Sequence, residues 1–173
     1  LFSLDDRARE LVDARITWRD KITEGLRDDR FELHFQPIVT IATGSIHHWE
    51  ALLRLRDPQG KLVYPDRFIP VAEKTGQIQA IDHWVLAHAI LCLGREPGLR
   101  LGINLSGRAM DDPALLLEIE RLLGEHRVEP TRLLFEVTET AAVSSLVKAT
   151  ELMKAVQGLG CGFVLDDFGS GYA

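Results

Sequence analysis

Cysteine is scarce: the 173-residue chain holds two, Cys92 and Cys161. Both sit among apolar neighbours in segments expected to form different elements. They read as buried free thiols, not as a disulfide or a metal pair, which suits a reducing compartment. A basic excess is also lacking. Twenty Lys and Arg stand against 26 Asp and Glu, a formal charge of −6. That balance excludes a chain that coats a nucleic acid polymer through a basic surface. It leaves a small anionic ligand open, because local charges and metals decide such affinity. No apolar run approaches the roughly 20 residues of a membrane span, and no secretory signal opens the chain. No membrane contact and a cytoplasmic location are therefore expected. No low-complexity stretch interrupts the sequence, and 46% of it is hydrophobic, enough to bury a core within one domain.

Residues 4 to about 29 are polar, with Leu11, Ala14, Ile16, Trp18, Ile22 and Leu26 spaced as in one or two amphipathic helices. The chain opens on Leu1-Phe2 without a methionine, so residues 1–29 are expected to be a helical linker from an upstream regulatory domain. The pattern then changes. Residues 31–39 alternate and are rich in β-formers, and a second strand runs from about Ile46 to Leu55. Only a short stretch around Thr43-Gly44-Ser45 separates them, too short for a parallel crossover, so an antiparallel hairpin is expected. From Pro65 onward helices and strands alternate. The segment from Pro65 ends at Gly76, and a helix spans about Ile78 to Arg95. A strand covers Leu99–Leu105. Asp112 should cap a helix beginning at Pro113. Leu133–Val137 is a strand, Ser145 to Gln157 a helix, and Cys161–Leu165 the fifth strand. Such βα alternation implies a largely parallel sheet, either doubly wound or a (β/α) barrel.

The chemistry gathers at strand ends. Period-two alternation puts Glu50, Leu52 and Arg54 on one face of their strand. It likewise groups Gly102 with Asn104 and Ser106, and Leu134 with Glu136 and Thr138; Asp166-Asp167 ends the fifth strand. In parallel α/β folds such residues line one mouth, where ligands bind. A single acid at a strand end is ordinarily solvated, but several brought together repel and need protons or a cation. With oxygen donors only, and neither cysteine nor histidine among them, a hard divalent ion such as Mg²⁺ or Mn²⁺ is favoured. Asp166-Asp167 could place a carboxylate between two ions, the usual arrangement for phosphodiester hydrolysis. Arg54 suits a phosphate oxygen. His47-His48 should face opposite ways and form no metal site. His83 and His88 read as surface or partly buried residues, and Trp49 and Trp84 as packing between helix and sheet.

Glu50-Ala51-Leu52-Leu53-Arg54 matches the signature E-A-L-x-R. Around it stand Phe35-Gln36-Pro37-Ile38, Asn104-Leu105-Ser106, Glu136-Val137-Thr138-Glu139 and Asp166-Asp167-Phe168-Gly169-Ser170-Gly171. These blocks, in this order over residues 31–172, resemble the EAL-domain family, and the first 30 residues resemble the linker that joins a GGDEF domain to an EAL domain. The resemblance implies a (β/α)8 TIM-type barrel with an antiparallel first strand. About five of its eight strands fall in this chain, with residues 30–173 as the N-terminal part of the domain. It implies an enzyme that uses two Mg²⁺ or Mn²⁺ ions to open cyclic di-GMP to linear pGpG. Glu50, Asn104, Glu136 and Asp166 would hold one ion, and Asp166 with Asp167 the second. Gln36, Arg54 and the backbone at Leu53 would contact the dinucleotide. Glu139 would anchor the loop Phe168–Tyr172, which would take part in communication across a homodimer. The family's lysine in K-x-D, a later metal-binding glutamate and a glutamine have no counterpart up to Ala173. The 173 residues alone are therefore expected to be inactive and prone to strand exchange or aggregation. Two competing readings are a cyclic di-GMP receptor without turnover and an unrelated barrel glycosidase working through two carboxylates without metals.

Overall fold

The computed structural model describes residues 17–166. Among these, six strands form a mixed sheet: β1 (Phe31–Val39), β2 (Ile46–Arg56), β3 (Leu62–Val63), β4 (Leu101–Asn104), β5 (Leu133–Thr138) and β6 (Gly162–Asp166). Their order is β1-β2-β4-β5-β6, with β3 beside β2. β1 and β2 are antiparallel, as the short connection demands. The Thr40 N–H donates to the Ser45 carbonyl at 2.9 Å, and Gly44 turns the chain at φ 67, where a Cβ would be strained. The pairs β2–β4, β4–β5 and β5–β6 are parallel. An antiparallel start followed by a parallel run is thus observed. The expected strand count was short by one, because the two residues of β3 are too few to show a period.

The chain divides into two compact units. Among the described residues, the smaller joins 17–32 to Leu53–Ile81. Residues 17–27 form α1, which buries Ile22 and Gly25. A Cβ on Gly25 would stand 2.7 Å from Leu55 Cδ1 and 3.1 Å from the Phe31 ring, so any larger residue would have to displace the Leu55 side chain. Phe31 meets Phe68 edge-to-face at 5.7 Å. Phe68 belongs to α2 (Pro65–Thr75), which opens on proline and stops at Gly76 with φ 77, as its sequence requires.

The larger unit joins Leu33–Leu52 to residues 82–166. Most of α3 (Ile78–Arg95) lies in it and buries Val85, Leu86, Ala89, Ile90 and Leu93. β5 is buried from Leu133 to Val137, the mark of a strand covered on both faces. α4 (Leu115–His126) buries Leu115, Ile119, Leu122 and Leu123, the spacing of one helical face. It starts two residues later than expected. Asp112 is not its cap: Oδ1 accepts from the Ala114 N–H at 2.9 Å, closing a turn around Pro113, while Oδ2 pairs with His83 Nε2 at 2.6 Å. The helix expected from Ser145 is preceded by a second. α5 (Glu139–Ser144) follows β5 directly, capped by Thr138 Oγ1 accepting from Ala141 N–H. Ser145, at φ −153, separates it from α6 (Leu146–Gly158). Cys92 and Cys161 are both free, and burial pushes the Cys161 thiol up to about 11. No described helix is long and apolar enough to cross a membrane.

Arg132, just ahead of β5, closes the C-terminal end of α3. Its Nε donates to the Leu99 carbonyl at 2.8 Å, and Nη2 donates to the carbonyls of Leu93 (2.8 Å) and Glu96 (2.5 Å). Carbonyls at a helix end need such donors. Arg132→Ala is expected to cost about 1.5–3 kcal/mol, the range for losing charged hydrogen bonds to carbonyls that burial partly removes from water. Urea unfolding monitored by circular dichroism checks this.

Candidate functional site

The ladder sets which polar residues meet. Glu50 stands opposite Gly102, Asn104 opposite Glu136, and Asp166 opposite Thr138. Glycine at 102 leaves the space above β4 open. A Cβ there would lie 2.0 Å from Glu136 Oε1 and 3.0 Å from its Cδ, so the Glu136 carboxylate occupies the place a side chain would take. Asn104 Nδ2 donates to Glu50 Oε1 at 2.8 Å, which leaves Oδ1 as the acceptor of that amide. Glu136 is only 7% exposed. Burial first, then Glu50 and then Asp166, raise its carboxyl from 4.5 to about 7. Glu50, Asn104, Glu136 and Asp166 thus fall on neighbouring strands of one unit, and at least three of them sense one another directly.

Histidine also stands here, contrary to the sequence expectation of oxygen donors alone. His48 Nε2 lies 3.4 Å from Glu136 Oε1. The signal was present, since His48 shares the period-two face of Glu50. The two consecutive imidazoles do not simply diverge either: the Nδ1 atoms of His47 and His48 are 2.8 Å apart, one donating to the other. Burial, then the charges of His47 and Arg100, hold the His48 pKa below its usual value. A neutral His48 cannot balance the charge of Glu136.

Among the described residues no three His, Cys, Asp or Glu side chains converge as a ready metal cage. The donor chemistry nonetheless fits a hard divalent cation. Two carboxylates and an amide oxygen adjoin, a third carboxylate acts on Glu136, and a buried acid with so high a pKa requires a proton or a positive neighbour. Asp167 and the loop Phe168–Tyr172 lie outside the described residues.

The remaining candidates are dispersed. Gln36 is exposed on β1. In the smaller unit, Arg54 Nη1 donates to the Leu53 carbonyl at 2.7 Å, and the guanidinium lies 4.7 Å from the centre of the Tyr64 ring. Glu139 opens α5. Trp84, expected between helix and sheet, stacks on His88 at 3.8 Å along α3. His83 is partly buried, as expected, and bridges Asp112 and Glu118. Burial opposes its protonation, but these two acids outweigh it and raise its pKa.

Behind Asn104, Ser106 is fastened to buried Asp82: its N–H donates to Oδ1 at 3.2 Å and its hydroxyl to Oδ2. Burial raises the Asp82 carboxyl to about 6 despite those bonds. Ser106→Ala removes one of them and is expected to cost about 1–3 kcal/mol at pH 8. The cost should shrink below about pH 6, where Asp82 takes a proton and needs the donor less. Chemical denaturation at the two pH values measures both.

The EAL domain family matches residues 19–173. The cyclic di-GMP phosphodiesterase PdeF of Escherichia coli K12 is 35% identical over 169 residues, covering 95% of this chain and 22% of PdeF. The cyclic di-GMP phosphodiesterase NbdA of Pseudomonas aeruginosa is 36% identical over 159 residues, covering 89% of this chain and 20% of NbdA. The chain therefore spans about a fifth of the length of these curated relatives. Among solved structures, the FimX EAL domain of Pseudomonas aeruginosa bound to c-di-GMP aligns with a TM-score of 0.83 at 32% identity. That alignment covers 88% of this chain and 62% of the FimX chain. The chain belongs to the EAL domain family.

Proposed function

We propose that these residues form the first part of a (β/α)8 barrel that hydrolyses cyclic di-GMP to linear pGpG with the aid of Mg²⁺ or Mn²⁺. The observation that carries this reading is the buried Glu136 carboxylate, seated over Gly102 beside the Glu50–Asn104 pair, with its pKa near neutrality. Glu50, Asn104, Glu136 and Asp166 would hold one ion, and Asp166 with Asp167 a second. Bound divalent ions supply acidity toward the attacking water and offset charge on the phosphate. Gln36, Arg54 and the Leu53 backbone would orient the dinucleotide, Arg54 by turning from Tyr64 to a phosphate oxygen. Asn104, by donating to Glu50, keeps that carboxylate aimed and its own oxygen available. Glu139 would anchor the loop at Phe168–Tyr172, the domain would pair with a second EAL domain in a homodimer, and residues 1–29 would link it to an upstream regulatory domain.

Chromatography of cyclic di-GMP incubated with purified protein in which these residues are joined to the later family motifs tests the reading. Formation of pGpG that requires Mg²⁺ or Mn²⁺, stops with EDTA and falls at least about a thousandfold in Glu50→Ala is the expected result. Turnover indifferent to EDTA would refute the metal-dependent reading. Binding of the dinucleotide without turnover, in a protein with the later family motifs intact, would replace it by that of a receptor.

A further inference from the structure

The smaller unit contains a cavity of about 480 Å³, a size typical of small-molecule pockets. Its walls include Lys21, Arg30, Lys61 and Arg67 together with the rings of Trp18 and Tyr64. None of Glu50, Asn104, Glu136 and Asp166 lines it. Leu55, which does, has the opposite parity on β2 from Glu50.

The charge of this cavity runs against that of the chain. Five lining side chains are cationic and two, Asp57 and Asp66, are acidic, in a protein of formal charge −6. Two of the cations are answered locally. Arg56 is gripped by both carboxylate oxygens of Glu32, and Arg30 Nη2 meets Glu24 at 3.1 Å. Asp57 is committed to its own turn, accepting from the N–H groups of Gln59 and Lys61. Lys61 and Arg67 are exposed and have no ion-pair partner among the described residues. Arg30 Nε is buried and has no hydrogen-bond acceptor among them. Asp28 Oδ2 stands 3.9 Å from it, beyond bonding reach. Arg30 Nε is closed to solvent, so the cationic donors open to a ligand are those of exposed Lys61 and Arg67. Beside it, Lys21 lies 4.7 Å from the Trp18 ring centre, so an aromatic wall adjoins the cations.

We propose that this cavity is a second ligand site, which takes a phosphate-bearing aromatic molecule of nucleoside-monophosphate size. The phosphate answers Lys61 and Arg67, whose donors suit its oxygens. The flat ring packs against Trp18 and Tyr64. Inorganic phosphate alone fills too little of the space to use both walls.

Adenosine monophosphate is the probe, titrated in EDTA into the whole protein labelled with ¹⁵N at tryptophan, the Trp18 indole signal being assigned with Trp18→Phe. The expected result is a saturable shift of Trp18 with Trp84 unmoved. Lys61→Glu and Arg67→Glu, both at exposed positions that tolerate change, should each weaken binding at least about tenfold, the loss of one charge-assisted contact. Inorganic phosphate should bind at least about tenfold more weakly than the nucleotide. No saturable shift up to about 10 mM, a weak-binding limit, would overturn the proposal. So would affinity unchanged by both charge reversals, equal affinity for inorganic phosphate, or loss of binding in Gln36→Ala. Cyclic di-GMP turnover is measured separately, so failure here and failure of the phosphodiesterase reading are told apart.

Discussion

Glu136→Gln is expected to yield a protein that is more stable than the parent above neutral pH and has lost its response to divalent cations. Burial, Glu50 and Asp166 raise the Glu136 carboxyl from 4.5 to about 7. Between those values the folded chain holds a proton that the unfolded chain releases. Stability therefore falls as pH rises from about 4.5 to about 7 and stays reduced above it. A shift of that size corresponds to about 3 kcal/mol. Glutamine keeps the shape and drops the charge, so the variant should gain about that amount over the parent at pH 8 in EDTA, the advantage fading by pH 5. Added Mn²⁺ should stabilise the parent and leave the variant where it was. Urea unfolding at both pH values, with EDTA and with Mn²⁺, reads all four quantities. A stability difference that does not vary with pH would mean the Glu136 charge is already neutralised within the fold.

Gly102→Ala should damage activity strongly, although glycine supplies no chemical group. Its added carbon would lie 2.0 Å from Glu136 Oε1 and 3.3 Å from His48 Cδ2. The carboxylate would have to swing away, and it is boxed in by His48 and by the neighbouring strands. A fall in turnover of about tenfold to a hundredfold is expected, comparable with disturbing the groups that orient a metal's ligands. The overpacked strand should cost about 1–3 kcal/mol. Combining Gly102→Ala with Glu136→Ala should recover most of that stability and none of the activity, and the non-additivity isolates the clash. A fully active Gly102→Ala protein would show that Glu136 reaches its working position by another route.

Local chemistry was legible where one segment decided it. The three residues Thr43-Gly44-Ser45 sufficed for the antiparallel hairpin, and Pro65 and Gly76 for the two ends of α2. Where partners come from elsewhere in the chain, local rules misled. Asp112 looks like a helix cap, yet His83, on a different helix, claims half of its carboxylate and the turn at Pro113 the other half. α5 was hidden because its helical start is a threonine that also ends a strand. At the candidate site, alternation placed Glu50, Asn104 and Glu136 on suitable faces. Pairing register lay beyond it, and register is what sets Asn104 against Glu50 and seats Glu136 above Gly102. His48 has the right parity, but its place in a histidine pair masks it.

From Glu50 to Asp166 the polar positions climb the ladder in steps of two residues, none and two across three successive strand pairs. That is a rise of roughly 13 Å along the strands over roughly 14 Å across them, a slope of about 43°. In an upright sheet the same groups would be strung out diagonally, with the outer two far from a common ligand. Strands that lean by this angle bring them to one height, and the strands of closed barrels lean by about 35–45°. The stagger of the hydrogen bonds therefore acts as a levelling device: backbone pairing alone decides whether the acids share a rim. A slip of one residue between β5 and β6 would turn Asp166 to the opposite face and put it out of reach.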